Sequence, residues 1–136
     1  MTTEVITASP DETILSVREK LDSNTIHHIP VVESDKVIGI ISMNDIHKLE
    51  HHFTLFNNPE AEQRNAQLFS TMLAKEIMTH PVITVRKDQP IAMAASLFLE
   101  NLFHALPIVD LDGKLCGMVT TFDMIRYCFS TPLNLQ

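Results

Sequence analysis

Gly39-Ile40-Ile41-Ser42-Met43-Asn44-Asp45 returns later in the chain as Gly117-Met118-Val119-Thr120-Thr121-Phe122-Asp123: a glycine, two apolar residues, a hydroxyl residue, two variable positions and an aspartate. Outward from this pair the self-similarity runs along most of the chain, the mark of a duplicated structural unit. At an offset of 77, Met1-Thr2 matches Met78-Thr79 and Val5-Ile6-Thr7 matches Val82-Ile83-Thr84. Asp11, Ile14, Asn24, His27, Pro30 and Val32 likewise match Asp88, Ile91, Asn101, His104, Pro107 and Val109. Past Asp35 and Asp112 the extra Gly113 moves the offset to 78, an insertion that a hairpin turn absorbs easily.

Each copy reads as β-α-β-β-α. A short extended run (Val5-Ile6-Thr7; Val82-Ile83-Thr84-Val85) leads to a helix, which in the first copy starts with a capping box of Ser9, Pro10 and Glu12. Ile14, Val17 and Leu21, and in the second copy Ile91, Ala94 and Phe98, recur at helical spacing. Two strands follow, Ile29 to Val32 with Val37 to Ser42, and Leu106 to Val109 with Leu115 to Thr120, joined by Ser34-Asp35-Lys36 or Asp110-Leu111-Asp112-Gly113. A closing helix then places Ile46, Leu49, Phe53 and Phe56, or Ile125, Cys128 and Phe129, on its inner face.

The expected organisation is a first repeat over 1–56, a helical linker over 57–74 and a second repeat over 75–136. Asn57-Asn58-Pro59 stops one helix, and Glu60 to Ile77 forms another through Phe69, Met72, Leu73 and Ile77. Lys75-Glu76-Ile77 leads into Met78 and has no counterpart ahead of Met1. The first repeat therefore reads as lacking its lead-in helix, as either a trimmed piece or a descendant of something longer would. Neither repeat can bury its sheet alone, so the fold class is α/β of the α+β type, two repeats packed with pseudo-twofold symmetry.

Composition narrows the function. With 136 residues, 45% of them hydrophobic and 20% charged, the chain is a foldable globular protein and not a disordered one. No stretch approaches the ~20 uninterrupted apolar residues of a membrane helix. Met1-Thr2-Thr3-Glu4 is neither basic nor followed by a signal core, so a cytoplasmic location without a membrane partner is expected. A formal charge of -7 and no cluster of Lys or Arg argue against a nucleic-acid partner. Cys116 and Cys128 read as reduced core thiols, and Met72, Met93, Met118 and Met124 as core filling. His47 and His51 at i, i+4, with His52 and Glu50 beside them, could present two imidazoles to one Zn²⁺. No third ligand is identifiable, so an exposed helix face is the reading and no metal is assigned. There is no Gly-rich phosphate loop and no Cys/His pair at a recognisable spacing, so no enzyme is expected.

The doubled heptad, each copy following an apolar-Pro-apolar-Val strand and a turn, resembles the signature of the CBS (cystathionine β-synthase-type) family, and the two repeats resemble its tandem pair, the Bateman module. Ser42-x-x-Asp45 and Thr120-x-x-Asp123 are also helix capping boxes, and the sequence leaves both readings open. The resemblance implies two nucleotide clefts, one combining Thr120 and Asp123 with Thr7, Ile26, His27 and His28, the other Ser42 and Asp45 with Thr84, Phe103, His104 and Ala105. Each aspartate would accept both ribose hydroxyls, adenine would lie against Ile26 or Phe103, and His27 and His104 would face phosphate. Those histidines also fit a plain surface where a strand begins. Where AMP-sensing members of the family often have an arginine after the histidine, this chain has His28 and Ala105, which weakens the case for tight polyphosphate binding.

The implied function is a regulatory module that binds AMP, ADP or ATP, requires no cofactor, forms a homodimer and reports occupancy to a protein partner. The alternatives are a dimerisation module without ligand and, behind it, a Mg²⁺ or S-adenosylmethionine sensor.

Overall fold

The computed structural model describes residues 1–54, 59–100 and 103–130. Phe56, Asn57, Asn58 and Asn101 and the side chains of His51, His52 and Phe53 lie outside the described residues. The elements, in chain order, are α1 (Ile14–Ser23), β1 (His28–Glu33), β2 (Lys36–Ser42), α2 (Met43–Thr54), α3 (Pro59–Thr71), α4 (Ala74–Ile77), β3 (Val85–Arg86), α5 (Ile91–Glu100), β4 (Ala105–Val109), β5 (Leu115–Thr120) and α6 (Thr121–Phe129). The expected mixed α+β class is observed.

The chain divides into a contiguous unit, Ile6–Val82, and a split unit made of Met1–Val5 and the chain from Ile83 onward. In the contiguous unit β1 and β2 form an antiparallel hairpin. Its turn places Ser34 and Asp35 at φ of 51° and 66°, the left-handed pair that a two-residue hairpin loop demands. Ala8 lies parallel to Val31 on one side of the hairpin, and Thr79 lies antiparallel to Ile40 on the other. The split unit repeats the plan: β3 is parallel to β4, β4 antiparallel to β5, and Thr2 lies antiparallel to Met118 on the far side. Each Met-Thr pair thus completes the sheet of the repeat to which it does not belong in sequence.

That exchange explains the glycine of each heptad. A Cβ on Gly117 would stand 2.8 Å from the Thr2 carbonyl oxygen and 3.0 Å from Met1 Sδ. A Cβ on Gly39 would run into the Met78 side chain, 2.9 Å from its Cβ and 2.7 Å from its Cγ. Glycine is required for the incoming strand to approach, not for the hairpin's own geometry.

Several expectations are corrected. The leading strands shrink to the Ala8 bridge and the two residues of β3, because turns (Glu12 N to Ser9 O, 3.1 Å; Gln89 N to Arg86 O, 3.0 Å) stop them. Helix α1 starts at Ile14 with Thr13 as its cap, accepting from Ser16 N at 3.2 Å. Ser9 and Glu12 do bond reciprocally, but one turn earlier. The reason lies in the Met72–Lys75 segment of the same chain, since Ala74 N donates to Glu12 O (2.8 Å), Lys75 N to Pro10 O (3.0 Å), and Ile14 N to Met72 O (2.9 Å). These carbonyls bind another segment and are not free to open a helix. The same bonding breaks the expected 60–77 helix at Met72-Leu73, where Leu73 is extended and bridges Thr13.

The contiguous unit's core holds Ile14, Val17, Leu21, Ile29, Val31, Ile41, Ile46 and Phe69, with Met72, Ile77 and Met78 packed against it. Phe69 carries α3 onto α1, where the Arg18 guanidinium lies 5.9 Å from its ring. The split unit's core is smaller, comprising Val85, Ala94, Leu106, Ile108 and Val119 with Phe98, Phe103 and Met124 alongside. Ile91, Met93, Ile125, Cys128 and Phe129, read from the sequence as inward, are exposed. Helix α6 turns Met124 to the core, one position before Ile125, so the shared face of Ile125, Cys128 and Phe129 looks outward.

Candidate functional site

Each unit gathers its own set of the residues singled out from sequence at one end of its hairpin, where β1 or β4 begins and β2 or β5 ends. In the contiguous unit His28 pairs with Ser42 across the ladder, and Met43 N donates to the His27 carbonyl at 2.8 Å. In the split unit Ala105 pairs with Thr120, and Thr121 N donates to the His104 carbonyl at 3.1 Å. A backbone bond therefore fixes each pre-proline segment against the hydroxyl of its own heptad. Pro30 and Pro107 are fully buried. Pro30 contributes its carbonyl, which accepts from Ala8 N at 3.0 Å, so its missing N–H is not called upon there.

The capping boxes are formed in both copies. Ser42 N donates to Asp45 Oδ2 (2.9 Å) and Asp45 N to Ser42 Oγ (3.0 Å). Thr120 N donates to Asp123 Oδ2 (2.9 Å) and Asp123 N to Thr120 Oγ1 (3.1 Å). In each case one carboxylate oxygen is engaged, and among the described residues no hydrogen bond is made by Oδ1 of Asp45 or Asp123. Both aspartates are half-buried. An ionised carboxylate at the first turn of a helix is favoured by the helix dipole, and its second oxygen has acceptor capacity left for a ligand hydroxyl. Capping and ligand contact are therefore compatible uses of one side chain.

The remaining expected residues divide by exposure. His27, His104 and Thr84 are exposed, and Thr7 and His28 half-buried. The Thr7 carbonyl accepts from Lys20 Nζ at 2.9 Å. Ile26 packs partly against the contiguous core and Phe103 against the split core, so each ring or branch shows only part of its surface. Ala105 is buried, 5% exposed, and can supply at most backbone contact.

Around Lys20 lies a group the sequence did not reveal. Lys20 Nζ also donates to Glu12 Oε1 (2.8 Å), and Ser16 Oγ to Glu12 Oε2 (2.9 Å). Burial raises the Glu12 pKa, but bonds from Lys20, Ser16 and Ser9 outweigh it and hold the carboxyl below its usual value. Among the described residues no three side chains converge as metal ligands, and no helix is long and apolar enough to cross a membrane. A groove of about 230 Å³ in the split unit, lined by Met1, Lys87, Ile91, Asp123, Met124 and Tyr127 among others, was also not foreseen.

The family model for the CBS domain matches residues 1–52 and 74–130. Among curated proteins, an uncharacterized protein of Methanopyrus kandleri is 34% identical over 90% of this chain and 57% of its own length. Protein MJ1225 of Methanocaldococcus jannaschii is 29% identical, over 93% of this chain and 45% of its own. The chain thus spans about half the length of these relatives. The crystal structure of MJ1225 superposes with a TM-score of 0.80 over 94% of this chain and 45% of its own. The CBS domain pair of protein MJ0100, solved with 5′-methylthioadenosine and S-adenosyl-L-methionine, superposes at 0.73 with 28% identity, over 94% of this chain and 90% of its own.

Proposed function

Because the chain belongs to the CBS-domain family, we propose that it is a regulatory module that binds an adenine nucleotide of the AMP, ADP or ATP kind and transmits occupancy to a partner, without catalysing a reaction. The observation that carries the reading is the doubled set: in each unit a capped aspartate with one oxygen to spare stands at the hairpin end that also carries a pre-proline histidine. Asp45 and Asp123 hold ribose in this reading. Ser42, Thr120, Thr7 and Thr84 add hydroxyl contacts, Ile26 and Phe103 meet the base, and His27, His28 and His104 meet phosphate, with Ala105 contributing backbone. The two ligands of MJ0100 share an adenosine group, which supports an adenine and ribose site. Whether phosphate is also read depends on the three histidines, since 5′-methylthioadenosine carries none.

The test is a thermal-shift series with AMP, ADP, ATP, 5′-methylthioadenosine, S-adenosylmethionine and Mg²⁺. A ligand that prefers the folded state raises its stability by about 2.7 kcal/mol at a hundred times its Kd. A saturable rise with an adenylate, reduced by Asp123→Ala and by Asp45→Ala with the variants still folded, is expected. A flat response to every compound refutes the reading and leaves the dimerisation module.

A further inference from the structure

The repeat does not require a cation at Lys20. At the offset of 77 its counterpart is Leu97, which packs partly against the split core. Glu12 and Ser16, which surround Lys20, are matched by Gln89 and Met93. One helix position thus serves as apolar packing in the split unit and, in the contiguous unit, carries an ammonium on a side chain that stays 36% exposed. Thr7 and Thr84, by contrast, are the same residue type. The two copies keep the hydroxyl residue proposed to meet the ligand and differ in what is available beside it.

Two bonds hold Lys20 Nζ in place, one to the Thr7 carbonyl at 2.9 Å and one to Glu12 Oε1 at 2.8 Å. An ammonium has three donors, so one N–H is left for a further acceptor. Glu12 does not cancel that capacity. Its oxygens also accept from Ser16 Oγ (2.9 Å) and Ser9 N (3.3 Å), so its charge is shared among three donors. A side chain already held in this way gives up little freedom when it takes a third partner. Ala8 lies parallel to Val31, which puts Thr7 beside Pro30, two residues past His28. That separation is about 7 Å along the strand, so Lys20, Thr7 and the histidine pair lie within the span of one nucleotide. The equivalent positions of Lys20, His27 and His28 in the split unit carry Leu97, His104 and Ala105.

We propose that Lys20 is a phosphate-recognising residue that makes the two residue sets unequal. The set of the contiguous unit, with Lys20, His27 and His28, prefers a phosphorylated adenylate over the free nucleoside. The set of the split unit, with Leu97 and Ala105, discriminates less and accepts adenosine compounds without phosphate. This deepens the nucleotide reading and rests on it. The ammonium supplies one charge-assisted hydrogen bond to a phosphate oxygen, while the Thr7 carbonyl and Glu12 keep the ammonium where it is.

The test follows the amide resonances of His28 and Ala105, separate reporters of the two sets, as the full chain is titrated with AMP and with adenosine. At His28 the preference for AMP over adenosine is expected to exceed that at Ala105. Lys20→Gln keeps a donor for the Thr7 carbonyl and removes the charge. It should weaken AMP at His28 on the order of tenfold, the worth of one hydrogen bond to a charged group, and leave adenosine at His28 and both ligands at Ala105 unchanged. Lys20→Arg should keep most of the preference. Equal losses of AMP and adenosine in Lys20→Gln make Lys20 a prop for Thr7 and overturn the proposal, as does an unchanged AMP affinity. Should Lys20→Gln not fold, the unmodified chain decides: a preference for AMP at His28 no greater than at Ala105 overturns the proposal, and a greater one supports it. If both compounds bind without preference, this proposal alone falls; if neither moves either reporter, the nucleotide reading falls and takes this proposal with it.

Discussion

Glu12 is the residue whose chemistry is most local and most easily misread. Its pairing with Ser9 was legible as a capping box, but its bonds to Lys20 and Ser16 depend on where α1 begins, which the incoming Met72 to Lys75 backbone decides. Because the folded carboxyl is held below its ordinary value of 4.5, the folded state binds fewer protons than the unfolded one in that range. The stabilisation is therefore complete above the ordinary value and is lost as pH falls through the depressed one. Glu12→Gln should cost about 1 kcal/mol at pH 7 and progressively less as pH falls below 4.5 and through the depressed value, as read by urea melts across the acid range. The two heptad glycines make a second prediction at this scale. Gly117→Ala pushes a Cβ against the rigid Thr2 carbonyl and should cost about 1–3 kcal/mol, with faster amide exchange at Thr2 and Met118. Gly39→Ala meets the backbone-fixed Cβ of Met78 as well as its more distal atoms, so it should also destabilise, and Met78→Ala, which removes Cγ and Sδ but keeps Cβ, should rescue it only in part.

Among the elements, hairpins and the first helix were legible, because Ile14, Val17 and Leu21 keep strict spacing and the turn residues stand between apolar runs. Helix α6 was not. Its sequence offers two apolar faces, one through Met124 and one through Ile125, Cys128 and Phe129, and periodicity alone cannot say which the sheet takes. The structure gives Met124 to the core and leaves Phe122, Ile125 and Phe129 exposed, Phe129 to 75%. At the same positions α2 has Asn44, His47 and His51, so the fold itself does not require apolar residues there. An apolar stripe on one repeat and a polar one on the other fits a self-complementary contact through α6 alone. We expect light scattering to report a dimer for the unmodified chain and a monomer for Ile125→Glu, with far-ultraviolet circular dichroism unchanged. A monomer from the start refutes this interface. The groove beside α5 was hidden for a related reason: Ile14 and Ile91 are the same residue type at the same repeat position, and only a neighbouring segment makes one buried and the other half-open.

For the molecule as a whole, the repeat was readable from the offsets of 77 and 78, while the exchange of Met1-Thr2 and Met78-Thr79 between sheets was not, because sequence similarity shows what is alike and not what touches. The consequence appears during synthesis. The contiguous unit, Ile6–Val82, can close as soon as its last residues leave the ribosome. In the split unit Thr2 waits for its partner Met118, which is made roughly 6 to 23 seconds after Thr2 itself at ~5–20 residues per second. Thr2 therefore stays unpaired until Met118 is made, whereas both partners of the Ile40–Thr79 bridge are made before the split unit's sheet, and the order in which the two units can close is set by the direction of synthesis.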